Sequence, residues 1–203
     1  MNHGTSLFKA LVCVSATVMV IVPFNAAVGG PSDRYLLDTG IFSSCATDNY
    51  GVQCWGYPPV RNPPGGGDIT DLRTASYQTN CLISNGTLRC WGGSGNITPV
   101  PSLQSPYAVD VHDAAACALD ATGIVCWGDL AHFLTPVPTV SNPIDIALSY
   151  AGNPPWACVL SDSGVSCWGD NTYGQTNVPP LVNPRQLSVG AGHACAIDDT
   201  GVV

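Results

Sequence analysis

Cysteines are the residues in this chain best equipped for chemistry, and their spacing is regular. Of ten cysteines, eight fall into Cys45/Cys54, Cys81/Cys90, Cys117/Cys126 and Cys158/Cys167, nine residues apart in every pair. Two chemistries use paired cysteines, zinc binding and disulfide formation. Structural zinc sites take their ligands from knuckles with two to four intervening residues, and here eight intervene with no second knuckle in register. Disulfides are the better reading. The second cysteine of each pair always opens Cys-Trp-Gly, and the first members recur after 36, 36 and 41 residues, with Cys195 a further 37 on. The same spacing asks for a partner to Cys195 at position 204, one beyond Val203. The expectation is a leftover Cys195 and a fragment that ends inside a repeat.

Other chemistry is sparse. The histidines are His3, His112, His132 and His193, and all 14 acidic residues are Asp. A general acid or base would therefore have to be Asp, His or Tyr. No HExxH, GxSxG, phosphate-loop or dinucleotide-binding pattern occurs, so no catalytic residue is assigned. Asp residues in the turns match no calcium-loop pattern and more commonly satisfy turn amides. No metal and no cofactor is expected. With only five Arg and no Lys after Lys9, the chain has no basic patch to neutralise phosphates, which excludes nucleic acid as a partner.

The elements that must hold these cysteines read as β-hairpins. The units CATDNYGVQCWG, CLISNGTLRCWG, CALDATGIVCWG and CVLSDSGVSCWG, with a fifth beginning CAIDDTGVV, place short apolar runs around a turn. The turns span 48–51, 84–87, 120–123, 161–164 and 198–201. Four end in Gly, where positive φ is needed, and the second centres on Asn85-Gly86, the preferred two-residue pair. A hairpin centred there sets residue i opposite i+9, so each cysteine faces its partner across the strands. Between hairpins, Thr98-Pro-Val-Pro, Thr135-Pro-Val-Pro and Thr176-Asn-Val-Pro-Pro lead through Ser105-Pro106, Asn142-Pro143 and Asn183-Pro184 into alternating stretches that suit a third strand. Three to four short strands per 36–41 residues describe a propeller blade. The fold class is all-β: a β-propeller repeat array of four blades and part of a fifth.

Cys167-Trp-Gly-Asp-Asn-Thr-Tyr-Gly-Gln-Thr-Asn-Val-Pro, followed by Leu187-Ser-Val-Gly-Ala-Gly-His-Ala-Cys-Ala-Ile, resembles the regulator of chromosome condensation repeat. The resemblance covers roughly residues 36–203 and is strongest over 156–203. It is weaker in the first two units, which lack the Asn-x-x-Gly-Gln element. The cysteine-rich bacterial exported branch is the most similar, and the chain is also similar to propeller-type secreted β-lactamase inhibitors. The resemblance implies a seven-bladed ring, of which this chain would be a fragment, and a non-enzymatic platform that binds a protein or glycan. It also implies that aromatics just before the first cysteine of each unit line a binding face. That gives Phe42, Tyr77, Trp156 and His193 as partner-binding candidates, with Tyr173 in the 170–175 loop as another. Phe42, Tyr77 and Trp156 are expected to be exposed. The insertion at Asn153-Pro154-Pro155 points to the same face. The repeated Trp55, Trp91, Trp127 and Trp168 are instead assigned to packing beside the disulfides, since every blade carries one.

Residues 1–29 read as a signal peptide: Lys9, an apolar run over 10–24, then small residues suited to cleavage. At 15 residues the run is short for a membrane span, and an uncleaved anchor is the alternative. Either way the repeats at 30–203 lie outside the cytosol, extracellular, periplasmic or on the cell surface, and no other segment could span a membrane. The leading function is a secreted or surface protein-binding module. Alternatives are a secreted enzyme inhibitor, a guanine-nucleotide exchange factor by family analogy alone, and a truncated product that does not function.

Overall fold

A computed structural model describes residues 36–40, 43–48, 51–56, 67–75, 79–92, 97–149 and 154–203. The leader, Phe42 and Tyr77 lie outside the described residues. Fifteen strands form five separate three-stranded antiparallel meanders. The first is β1 (Leu37–Thr39), β2 (Ser43–Asp48) and β3 (Gly51–Gly56). The second is β4 (Ile69–Thr74), β5 (Asn80–Ser84) and β6 (Thr87–Trp91), and the third β7 (Ala108–Val111), β8 (Ala116–Asp120) and β9 (Gly123–Trp127). The fourth is β10 (Pro143–Leu148), β11 (Trp156–Ser161) and β12 (Gly164–Gly169). The fifth is β13 (Gln186–Val189), β14 (Ala194–Asp198) and β15 (Gly201–Val202). These are the blades of a β-propeller. Among the described residues the proline connectors form no strand; one holds a short 3-10 turn, Ala131–Leu134.

Register follows from the hairpin chemistry. Cys45 pairs with Cys54, Cys81 with Cys90, Cys117 with Cys126 and Cys158 with Cys167 across each hairpin. All four pairs are disulfide-bonded, with Cα atoms 4.0–4.1 Å apart. Cys195 is disulfide-bonded as well, which corrects the expectation that it is left over. Gly123 and Gly164 follow their two-residue loops at φ of 124° and 109°, a region costly for any residue with a Cβ.

Packing between blades builds the core. β1 lies beside β4, β4 beside β7, β7 beside β10 and β10 beside β13, so the first strand of each blade lines the propeller axis. Three apolar clusters fill the successive junctions. Leu72 and Leu82 pack with Cys45 and Val52 at the first, Ile83 with Val109 and Trp127 at the second, and Leu119 with Ile146 and Trp168 at the third. Of the tryptophans assigned to packing, Trp127 and Trp168 lie inside the junctions, whereas Trp55 does not. Trp127 Nε1 donates to the Ile97 carbonyl (2.8 Å) and Trp168 Nε1 to the Leu134 carbonyl (3.0 Å), tying each outer strand to the connector before it. Trp55, in the first blade, is 52% exposed.

Candidate functional site

Axis-lining strands bring together acids that lie 33–39 residues apart in sequence. Asp38 Oδ2 accepts the Thr74 amide (2.5 Å), Asp71 Oδ2 the Val109 amide (2.9 Å) and Asp110 Oδ2 the Leu148 amide (2.7 Å). Each bond reaches from one blade to the innermost strand of the next. Arg73 stands among these acids. Its Nη1 lies 2.7 Å from Asp71 Oδ1, its Nη2 3.6 Å from Asp145 Oδ1 and its Nε 3.9 Å from Asp110 Oδ1. One cation thus faces three carboxylates.

Burial dominates the electrostatics. It pushes the Asp110 carboxyl up to about 7, against the pull of Arg73 and the Leu148 amide. Asp71 and Asp145 are raised for the same reason, again opposed by Arg73. Burial lowers the Arg73 pKa, but the attraction of Asp71, Asp110 and Asp145 outweighs it, and the net shift is upward. The carboxylates are occupied by backbone amides and the guanidinium, so this arrangement supplies cohesion between blades. Sequence reading missed it. The available signal was an Asp recurring at 38, 71, 110 and 145, ahead of the first cysteine of each unit.

The turn acids are structural too. In the third blade Asp120 Oδ1 accepts the Thr122 amide and hydroxyl (2.7 and 2.6 Å), and Oδ2 accepts the Gln104 amide (2.8 Å). Asp198 repeats the pattern with Thr200 (2.7 and 2.6 Å) and Val182 (2.8 Å). The Thr200 hydroxyl and the Val182 amide hold the Asp198 carboxyl below its ordinary range. Among the described residues no group of His, Cys or Asp is placed to hold a metal ion.

The partner-binding candidates separate. Trp156 is 1% exposed, which corrects the expectation that it lies open for contact. Its Nε1 donates to the Ala191 carbonyl (3.0 Å), stapling the fourth blade to the fifth. His193 is exposed, with Gly190 directly beneath its ring. Tyr173 is 85% exposed, on a loop whose own side chains fix its shape. Gln175 Oε1 accepts the Tyr173 amide (2.8 Å), Gln175 Nε2 donates to Asp170 Oδ2 (2.8 Å), and Asp170 Oδ1 accepts the Thr172 hydroxyl (2.6 Å). Asn171 Oδ1 accepts the Thr176 amide (3.0 Å), closing the loop. Tyr173 and His193 border one groove between the fourth and fifth blades.

No protein-family model matches the chain, and no curated protein matches its sequence. Solved structures do resemble it. The CRINKLY WD40 ectodomain of the Arabidopsis thaliana receptor kinase ACR4 is 22% identical, with a TM-score of 0.61, over 92% of this chain and 66% of that one. The entire ectodomain of the Physcomitrella patens receptor kinase CR4 is also 22% identical, with a TM-score of 0.64, over 89% of this chain and 51% of that one. Prp20p from Saccharomyces cerevisiae, described with its binding to Gsp1p and histones, is 15% identical, with a TM-score of 0.61, over 80% and 54%. A second structure names the yeast protein as RCC1, bound to Kap60. The chain spans from half to two thirds of the length of these structures. At such identities the likeness is one of fold alone, a β-propeller.

Proposed function

We propose that this chain is a secreted or cell-surface module that binds a protein or glycan partner and catalyses no reaction. The observation that carries the reading is Tyr173, an aromatic 85% exposed on a loop fixed by at least four hydrogen bonds from its own side chains. A large side chain held rigid before binding loses little entropy on association, which is what interface hot spots favour. His193 belongs to the same surface. Four hairpin disulfides fit an oxidising compartment, as does the likeness to two receptor ectodomains. Among the described residues no helix is long and apolar enough to cross a membrane. Five arginines against 14 aspartates make a nucleic-acid partner unfavourable.

A secreted enzyme inhibitor is the sharper version of this reading, and the notched surface around Tyr173 suits it. The test immobilises the full oxidised chain and Tyr173→Ala side by side, against a panel of secreted enzymes and cell-surface glycans. Saturable capture weakened about 30-fold or more by Tyr173→Ala supports the reading. Equal capture by both proteins, or by neither across the panel, refutes it. Nucleotide exchange on a small GTPase, measured with the same chain, separates the remaining alternative.

A further inference from the structure

Tyr173 has a counterpart in the preceding connector. Counted from Cys126 and from Cys167, His132 and Tyr173 each stand six residues after the second cysteine of their hairpin. His132 and its neighbour Phe133 are exposed, with ring centroids 4.0 Å apart. This pair sits at the third junction, where Trp168 packs beneath the connector and donates to the Leu134 carbonyl (3.0 Å). Outward aromatics over a filled junction are therefore a property of the repeat. The two connectors also meet. Leu134 Cδ2 lies 3.2 Å from where a Cβ on Gly169 would stand, and Gly169 leads directly into Asp170. The Asp170 amide donates to the Pro155 carbonyl (3.2 Å), and the Leu130 amide to the Ala114 carbonyl (2.9 Å). His132, Phe133 and Tyr173 thus share one surface, at the end of the blades away from the hairpin turns.

Charge on that surface has one sign. Among the described residues it carries Asp113, Asp129 and Asp170, and the cations lie elsewhere. Arg73 stands among the axis acids, and Arg89 lies within β6. Arg185 is at the hairpin-turn end, paired with Asp199 (3.2 Å). The polar side chains beside Tyr173 are engaged with one another. Asp170 Oδ1 accepts the Thr172 amide and hydroxyl (3.2 and 2.6 Å), and its Oδ2 accepts Gln175 Nε2 (2.8 Å). Asn171 Nδ2 donates to Asn177 Oδ1 (3.2 Å), and the Thr135 hydroxyl to the His132 carbonyl (2.8 Å). A sugar is recognised through free, directional donors and acceptors, which these loops have spent on themselves. Aromatic faces and negative charge remain, and a cation needs no more than these.

We infer that the partner of this surface is a basic protein segment, whose arginines stack on Phe133 and Tyr173 in the field of Asp113, Asp129 and Asp170. The inference rests on the reading of Tyr173 as a contact residue and narrows that reading from protein or glycan to a cationic protein. A guanidinium is planar and weakly hydrated, so it covers an aromatic face at little desolvation cost. Acids of one sign around the aromatics raise the local concentration of such a partner and speed its encounter.

The probe is a fluorescein-labelled peptide of Arg-Gly-Ser repeats, titrated into the full oxidised chain and followed by fluorescence anisotropy. A saturable rise is expected, about 10-fold weaker for the same peptide carrying citrulline, which keeps the shape and removes the charge. Phe133→Ala and Tyr173→Ala should each weaken binding about 3-fold or more. Asp129→Asn should weaken it as well, whereas Asp162→Asn, the same charge change at the hairpin-turn end, should not. Circular-dichroism melts confirm that the variants are folded; Tyr173→Ala, on a side chain 85% exposed, serves if Phe133→Ala is not. Equal binding of the citrulline peptide overturns the inference. So does equal weakening by Asp129→Asn and Asp162→Asn, since the attraction would then belong to the net charge of the whole chain. Displacement of the peptide by an oligomer of β-1,4-linked N-acetylglucosamine overturns it in favour of a glycan. Partner capture that Tyr173→Ala abolishes but excess arginine peptide leaves intact overturns this inference while sustaining the proposed function, so the two failures are distinguishable.

Discussion

Replacing Arg73 with Met removes the cation that faces Asp71, Asp110 and Asp145 while keeping a long side chain in its place. Three carboxylates, at 2.7, 3.6 and 3.9 Å from the guanidinium, then face one another without it. Breaking a buried ion pair from one side costs about 3–5 kcal/mol. Arg73 is 28% exposed along its side chain, so water screens part of this, and the loss at pH 8 is about 2–3 kcal/mol. The sign of the pH dependence follows from the carboxyls. Asp110 titrates at about 7 even with Arg73 present, and Asp71 and Asp145 are also raised, so at pH 5 protons replace much of the missing cation. The expected loss at pH 5 is below about 1 kcal/mol. Urea unfolding with disulfides intact, at pH 8 and pH 5, reads both values from the shift in midpoint. Equal destabilisation at the two pH values would refute the electrostatic account and assign Arg73 a packing role.

The native protein should lose stability as pH rises from 5 to 8, because Asp110 binds its proton more tightly folded (about 7) than unfolded (3.8). Three units at about 1.36 kcal/mol each set a ceiling of about 4 kcal/mol, and Asp110→Asn should flatten the urea-midpoint profile over that range. Asp170 and Asp198 act in the opposite sense: their folded pKa values are depressed, so their contribution is present above pH 4 and lost as pH falls further. A thermal-melt series from pH 3 to 9 should therefore peak in mildly acidic solution; stability still rising above pH 7 would contradict the Asp110 assignment, and a maximum at pH 3 would contradict those of Asp170 and Asp198. Trp168→Ala should cost about 3–5 kcal/mol in a urea titration, whereas Trp55→Ala, on an exposed indole, should shift the midpoint little. Cys158→Ser with Cys167→Ser should lower stability by about 2.7 kcal/mol in the loop-entropy account of a ten-residue closure, read from the same titration.

What the sequence made legible was whatever repeats within one hairpin. The nine-residue cysteine interval, the Asn85-Gly86 turn and the glycines at 51, 123, 164 and 201 are local, and the strands pair in the register they dictate. The axis was harder to see, because Arg73 meets Asp110 and Asp145 only after the blades assemble. Trp156 was misread because position was weighed without strand parity. It stands two residues before a buried cysteine, hence on the same inward face, where Ser43, Thr79 and Ala115 are also buried. His193 holds the same position in the fifth blade and is exposed, so parity alone does not decide it.

Each Asp-to-amide bond along the axis joins a blade only to its immediate successor, while the disulfides of the first four blades each close within a single hairpin. The molecule is therefore a chain of stiff links in series, whose yield points are the joints. Pulled across its first four blades, it should extend in steps of one blade, each step releasing the residues between hairpins and sparing the covalent loop inside. Reduction would lengthen the steps of the first four blades without changing their number. Hydrogen exchange should show the same grain, with protection shared across a blade and falling away at the seams.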